Sequence, residues 1–188
     1  LDPDARREPD AETVGRLRSG DIAALEAVFW ALSDAVLRLS RALMGNSADA
    51  EDAAQEIFLR VYEQAGKFDG QARFSTWVYR LAVRYCLNKL RQRRRRAAAE
   101  KAAVAQRIRL VTAEPGRLPA TKDENARAAA LLERLPPSYR ACLVLREIEG
   151  RSYAEIAELL DIPPGTVMSR LSRARRLLAA MLDETTEK

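Results

Sequence analysis

Apolar residues in this chain recur every three or four positions, and no stretch alternates long enough to suggest a strand. Leu25, Val28, Phe29, Leu32, Val36, Leu39 and Leu43 set the pattern and fall on one side of a helix. Such a stripe has a period near 3.6, whereas a half-buried strand needs a period of two. The residue mix points the same way. Aromatics make up only 6%, Gly and Pro number 8 each in 188 residues, and Ala, Leu, Arg and Glu are abundant. The expectation is an all-α fold.

Local breaks divide the pattern. A short helix begins near Asp10 and ends at Gly20, and Asp21 can cap the next. Gly45-Asn46-Ser47 stops that second helix. Ser47 can cap a third, with Asp49, Glu51 and Asp52 in a first turn where the helix dipole favours acids. After Gly66 comes a loop, KFDGQARF, from Lys67 to Phe74. A fourth helix starts near Ser75, with Trp77, Val78, Leu81, Ala82, Tyr85 and Leu90 as its apolar side, and ends in the run from Arg91 to Arg96. Residues 10–96 therefore read as a helical bundle. Residues 97–122 read as a flexible linker: AAAEKAAVAQRIRLV can still be helical, but TAEPGRLPATK has two prolines, a glycine and no periodic face. Thr121 and Glu124 fit a capping box, so a second helical domain spans 123–183.

In that domain one helix ends at Leu135, before Pro136-Pro137, and another runs from Ser138 to Gly150. Ser152 and Glu155 form a second capping box and open a short helix carrying Ile156, Ala157, Leu159 and Leu160. Only Asp161-Ile162 separates it from Pro163-Pro164, which fix the start of the last helix because proline fits a first turn. Val167, Leu171, Ala174 and Leu178 make the apolar stripe of this helix; Thr166, Ser169, Arg170 and Arg173 make the polar one. Two short helices at a sharp turn, the second cationic outside, form a helix-turn-helix. Arginine offers a planar fork to guanine O6 and N7, and hydroxyls serve phosphates or bases.

The charge balance fits an anionic partner: net +5, with a pI near 9.5. Histidine is absent, which removes the commonest general base and the commonest zinc ligand. Cys86 and Cys142 sit far apart in apolar helical runs and read as buried thiols of a reducing compartment. No apolar run approaches a membrane span and the opening LDPDARREPD is too polar for a signal peptide, so the expected location is cytoplasmic.

Two further features lie in the first half. Phe68, Phe74, Trp77, Tyr79 and Tyr85 are interleaved with Lys67, Arg73, Arg80, Arg84 and Lys89. Rings that stack on bases and cations that follow a backbone suit single-stranded nucleic acid, although Trp77 and Tyr85 also read as core residues. The stretch ADAEDAAQEIF, Ala48 to Phe58, puts Asp49, Asp52 and Glu56 on one helix face. Three carboxylates can hold a hard cation, form a solvated face or dock a basic partner. No second cluster supports a metal, and neither a metal nor another cofactor is expected.

Three segments together resemble bacterial sigma factors of the sigma-70 family, in the small extracytoplasmic-function (ECF) group. They are DAEDAAQEIFLRVY from Asp49, FSTWVYRLAVRYCLNKLR from Phe74, and LERLPPSYRACLVLREIEGRSYAEIAELLDIPPGTVMSRLSRARRLL from Leu132. The resemblance implies a non-enzymatic initiation factor that binds core RNA polymerase at its clamp and flap and directs it to promoter DNA. It places Asp52, Gln55, Glu56 and Arg60 at the polymerase contact. It assigns the melted −10 strand to Phe68, Phe74, Trp77, Arg80, Arg84 and Asn88, and the −35 duplex to Thr166, Ser169, Arg170 and Arg173. It also implies an anti-sigma factor as partner. Met168 and Arg84 depart from the family pattern, where arginine and asparagine are common, and bear on which promoter is read. Two alternatives fit less of the chain. An autonomous helix-turn-helix regulator leaves DAEDAAQEIF unexplained, and a carboxylate-metal nuclease would have to work without histidine.

Overall fold

The computed structural model describes residues 8–45, 47–107 and 124–186. They form eight α-helices and, among the described residues, no strand. The first domain holds α1 (Ala11–Arg18), α2 (Ile22–Met44), α3 (Ser47–Gln64) and α4 (Phe74–Arg107). The second holds α5 (Glu124–Arg134), α6 (Pro137–Leu143), α7 (Tyr153–Leu160) and α8 (Pro164–Thr186). A π-helical turn, Val144–Ile148, continues α6.

Asp21 caps α2 as expected, and Asp10, where the first helix was expected to begin, caps α1. Ser47, expected to cap α3, is instead the first residue of that helix, and its hydroxyl meets the Glu51 carboxylate at 3.2 Å. The Asp10 carboxylate accepts from the Thr13 N–H at 2.7 Å and that of Asp21 from the Ala23 N–H at 2.9 Å, satisfying donors a first turn leaves open. Asp21 also pairs with Arg16 at 2.6 Å, tying α1 to α2. Gly45 ends α2 with a φ of 76°, a conformation glycine adopts without a Cβ penalty. Beyond α3, the loop leads to an unexpected cap. The Glu8 carboxylate accepts from the Phe74 N–H at 2.7 Å and lies against the Ser75 N–H, so a residue from the start of the chain caps α4.

The stripe of α2 is buried as its spacing requires: Val28, Leu32, Val36, Leu39 and Leu43 pack with Ala50, Ala53, Ile57 and Val61 of α3 and Val78, Ala82 and Cys86 of α4. Leu25 is only half-buried, and the other exception is Phe29 at the edge of that stripe. It is partly exposed and meets Phe58 edge-on, with ring centroids 4.9 Å apart. In the second domain Leu135, Cys142, Leu145, Ile156, Val167, Leu171 and Ala174 form the core.

The two domains pack directly on each other. Arg140, on α6, is buried and donates to the Leu43 carbonyl at 2.8 Å. Arg94 donates to the carbonyl of Leu135 at 2.7 Å. The Tyr79 hydroxyl donates to the Glu149 carboxylate at 2.5 Å, and the Arg151 guanidinium lies over the same ring at 5.0 Å. Arg80 pairs with Glu158 of α7.

The fold differs from the sequence expectation at two further points. Helix α4 carries on to Arg107, past the arginine run that was expected to end it. The residues beyond Arg96 are rich in alanine, the best helix former, so nothing local stops the helix. The single helix expected from Ser138 instead relaxes into a π turn after Leu143. The expected linker segment 112–122, and Thr121 of its capping box, lie outside the described residues.

Candidate nucleic-acid and polymerase interfaces

The helix-turn-helix is built from its caps outward. The Ser152 hydroxyl accepts from the Glu155 N–H at 3.2 Å and the Glu155 carboxylate accepts from the Ser152 N–H at 2.7 Å. This box fixes the start of α7. Asp161 ends α7 with a φ of 52°, a left-handed conformation that aspartate tolerates better than most residues. The Pro163 carbonyl accepts from the Thr166 N–H at 2.8 Å, and Pro164 is the first residue of α8. Buried Val167, Leu171 and Ala174 then clamp α8 with its other side outward.

That outer side carries Ser169 and Arg173, both exposed, and Thr166, half-buried at its flank. Arg170 is half-buried and leans towards Cys142 of α6, so it stands at the margin of the outer face. Ser169 donates to the Thr166 carbonyl at 3.0 Å, leaving its oxygen lone pairs outward. Three residues not counted as readers in the sequence also point out: Met168, Ser172 and Arg176. For Ser172 and Arg176 the signal was spacing, since they follow Ser169 by three and seven positions on one helix face, while Met168 had been marked only as a departure from the family pattern. Arg175, next to them, is engaged by Glu147 at 2.6 Å.

In the first domain, Phe68 and Phe74 are buried and their rings meet edge-on at 5.1 Å. Trp77 lies against both, 5.7 Å and 5.3 Å between centroids, and is half-buried. Of the three rings that the resemblance gave to the −10 strand, two thus form a floor and the third, Trp77, is partly open. From Trp77 the outer face of α4 continues through Arg84 and Asn88, both exposed. Arg80 flanks this stripe on the side taken by α7. Tyr79, expected among the stacking aromatics, is buried beneath the second domain.

Helix α3 shows Asp52 and Gln55 on its exposed face, with Leu59 one turn further. Glu56 and Arg60 form an ion pair at 3.5 Å along the flank nearer α4. The third carboxylate of the acidic set, Asp49, is engaged by Arg93. The carboxylates of Asp49 and Glu56 are thus each committed to a cation. In the second domain Leu131, Leu143, Ile148 and Leu178 line an apolar groove of about 210 Å³. No helix among the described residues is long and apolar enough to cross a membrane.

The two units define a class: an all-helical protein with a helix-turn-helix whose outer face is polar and cationic, beside a bundle that bears an aromatic and cationic stripe. Comparison with known proteins refines it. Residues 29–96 match the family description "Sigma-70 region 2" and residues 126–178 match "Sigma-70, region 4". The RNA polymerase sigma-H factor of Pseudomonas aeruginosa is 32% identical, over 92% of this chain and 93% of its own length. The ECF RNA polymerase sigma factor SigW of Bacillus subtilis is 30% identical, over 90% and 94%. Among solved structures, CnrH in complex with the cytosolic domain of CnrY superposes with a TM-score of 0.62 at 25% identity, covering 92% of this chain and 96% of that one. The sigma factor RpoE in complex with the anti-sigma factor NepR from Bartonella quintana shares the fold, with a TM-score of 0.59 at 18% identity over 82% and 94%. The chain belongs to the sigma-70 family, in its ECF group, and is a sigma factor that directs promoter transcription initiation.

Proposed function

We propose that the two domains divide the promoter between them. The second reads the −35 element as duplex through Thr166, Ser169, Arg170 and Arg173. The first captures the −10 element as melted strand along Trp77, Arg80, Arg84 and Asn88, with Phe68 and Phe74 holding the tryptophan in place. The observation that carries this reading is the pairing of two different surfaces in one chain. An exposed, hydroxyl- and arginine-bearing helix face suits groove edges, and a half-open ring beside a cationic stripe suits unstacked bases.

Core RNA polymerase takes the exposed face of α3 at Asp52, Gln55 and Glu56, with its clamp. The apolar groove beside α8 is offered to the flap. An anti-sigma factor is the third partner, as in the complex of RpoE with the anti-sigma factor NepR. The place of action is the cytoplasm, with the polymerase.

In this division Arg80 reaches the strand only after Glu158 lets it go, so the second domain moves off α4 when the promoter is engaged. Genome-wide run-off transcription with purified core polymerase, with and without the chain, tests the proposal. New starts sharing two motifs, separated by about one and a half helical turns or more, are expected. Tight duplex binding by the chain alone, with no new starts, would favour the autonomous regulator.

A further inference from the structure

A cleft of about 500 Å³ runs between α3 and α4. It brings together residues the sequence assigned to different partners. Glu56 and Arg60 come from the presumed polymerase face, and Arg84 and Asn88 from the presumed −10 stripe. Tyr85 and Lys89 lie among its other lining residues. The Arg60 guanidinium does not extend towards Asp52 and Gln55. It lies over the Tyr85 ring at 5.0 Å, and Lys89 reaches the same ring at 5.9 Å. The Nε of Arg60 is buried with no hydrogen-bond partner among the described residues. Three cations, Arg60, Arg84 and Lys89, therefore line the cleft with one carboxylate, Glu56, and that carboxylate touches Arg60 only at 3.5 Å.

We infer that this cleft holds the phosphate backbone of the single DNA strand after it leaves the Trp77–Asn88 stripe, and that Arg60 works on DNA rather than on the polymerase. The inference rests on the proposed −10 reading and deepens it. Arg84 and Asn88 belong to both surfaces, so the cleft prolongs the stripe, which itself covers about 16 Å of helix. The ligand is a backbone and not a base, because the one ring among the described lining residues, Tyr85, already holds two cations, Arg60 at 5.0 Å and Lys89 at 5.9 Å. A phosphate needs no ring. It takes the guanidinium forks of Arg60 and Arg84, the ammonium of Lys89 and the amide N–H of Asn88. Glu56 then gives up Arg60 to the phosphate and remains exposed for the polymerase.

The test uses the full chain assembled with core polymerase and a fluorescein-labelled single DNA strand of mixed sequence, titrated at several salt concentrations. Arg60→Gln and Lys89→Gln are each expected to weaken strand binding about three- to tenfold whatever the sequence. Each should also lower the salt slope by about 0.7, the loss of one single-strand phosphate contact. Association of either variant with core polymerase stays at the wild-type value, whereas Asp52→Ala weakens that association and leaves the salt slope alone. Arg60→Gln that weakens polymerase association with an unchanged salt slope overturns the inference and returns Arg60 to the polymerase face. Lys89 is exposed, so its variant remains informative if Arg60→Gln loses structure, and Arg60→Lys should recover most of the slope. A wild-type chain that binds neither polymerase nor strand would sink the −10 reading itself, and this inference with it.

Discussion

The Nη1 of Arg140 lies 2.8 Å from the carbonyl oxygen of Leu43, so a guanidinium of the second domain caps a helix of the first. Leu43 is in the last turn of α2, where carbonyls lack helical partners and the dipole favours a cation. The contact is costly as well as favourable. Burial pushes the Arg140 pKa down to about 10, with Glu133 acting in the opposite direction. That value is still far above neutrality, so the side chain stays charged and its Nε remains buried without a partner among the described residues. Arg140→Ala leaves the Leu43 carbonyl unpaired and should cost docking about 1–3 kcal/mol, the usual penalty for a buried polar group left without a partner. Distances between fluorophores on α1 and α8 should lengthen and broaden in the variant, while each domain keeps its helical signal. An unchanged distance distribution would show that the remaining contacts hold the domains by themselves.

Arg80 and Glu158 provide a second handle on the same interface. A carboxylate of α7 here occupies the guanidinium that the proposed function reserves for the DNA strand. Glu158→Gln removes the charge and keeps the shape. The free chain should then bind a single strand several-fold more tightly, with the gain largest at low salt, where the ion pair was least screened. Fluorescence anisotropy at two salt concentrations measures this. Equal affinities for wild type and variant would mean that the docked domain does not compete for the strand.

The contrast between what the sequence revealed and what it concealed follows from the range of the forces involved. Caps and stripes are local, and Asp10, Asp21, Ser152 and the Val28–Leu43 face stand where spacing put them. The helix-turn-helix was legible for the same reason, because Pro164 and the Val167–Ala174 stripe settle which face of α8 is outward. Tyr79 was misjudged because its cover comes from Glu149 and Arg151, far along the chain. The Glu8 cap on α4 was invisible on the same grounds, since 66 residues separate it from Phe74. The cleft went unseen because no motif spans α3 and α4, and Arg60 was placed at the polymerase contact by the family resemblance alone.

The thiols offer a probe of packing. Burial raises the Cys86 pKa to about 11, and the Ser40 hydroxyl, 3.8 Å away, only partly offsets it. Burial also raises that of Cys142, with Arg170 acting against it. The thiolate is the reactive form, so both should resist iodoacetamide at about pH 8 in the folded chain and react on unfolding. Mass spectrometry after timed labelling distinguishes the two sites. Rapid labelling of Cys142 alone would show that the second domain opens locally between α6 and α8.

The capping box of α7 should make the second domain sensitive to acid. The Ser152 hydrogen bonds hold the Glu155 carboxyl below its ordinary value of 4.5. A carboxylate favoured in the folded state stabilises it at pH values above that ordinary range, and the contribution disappears as pH falls through the depressed value. Glu155→Gln keeps an acceptor for the Ser152 N–H but cannot titrate, so its unfolding midpoint should vary less between about pH 5 and pH 3 than that of the wild type. Ser152→Ala should cost about 1 kcal/mol at neutral pH, the usual loss for an N-cap hydroxyl. Because Ile156 and Ala157 of α7 are buried in the same core as Val167 and Leu171, loosening α7 should also weaken binding of a −35 duplex. Thermal unfolding across this pH range, read beside duplex binding at neutral pH, checks both effects. Parallel pH profiles for wild type and Glu155→Gln would mean that other carboxylates set the acid limit and that the box only positions the turn.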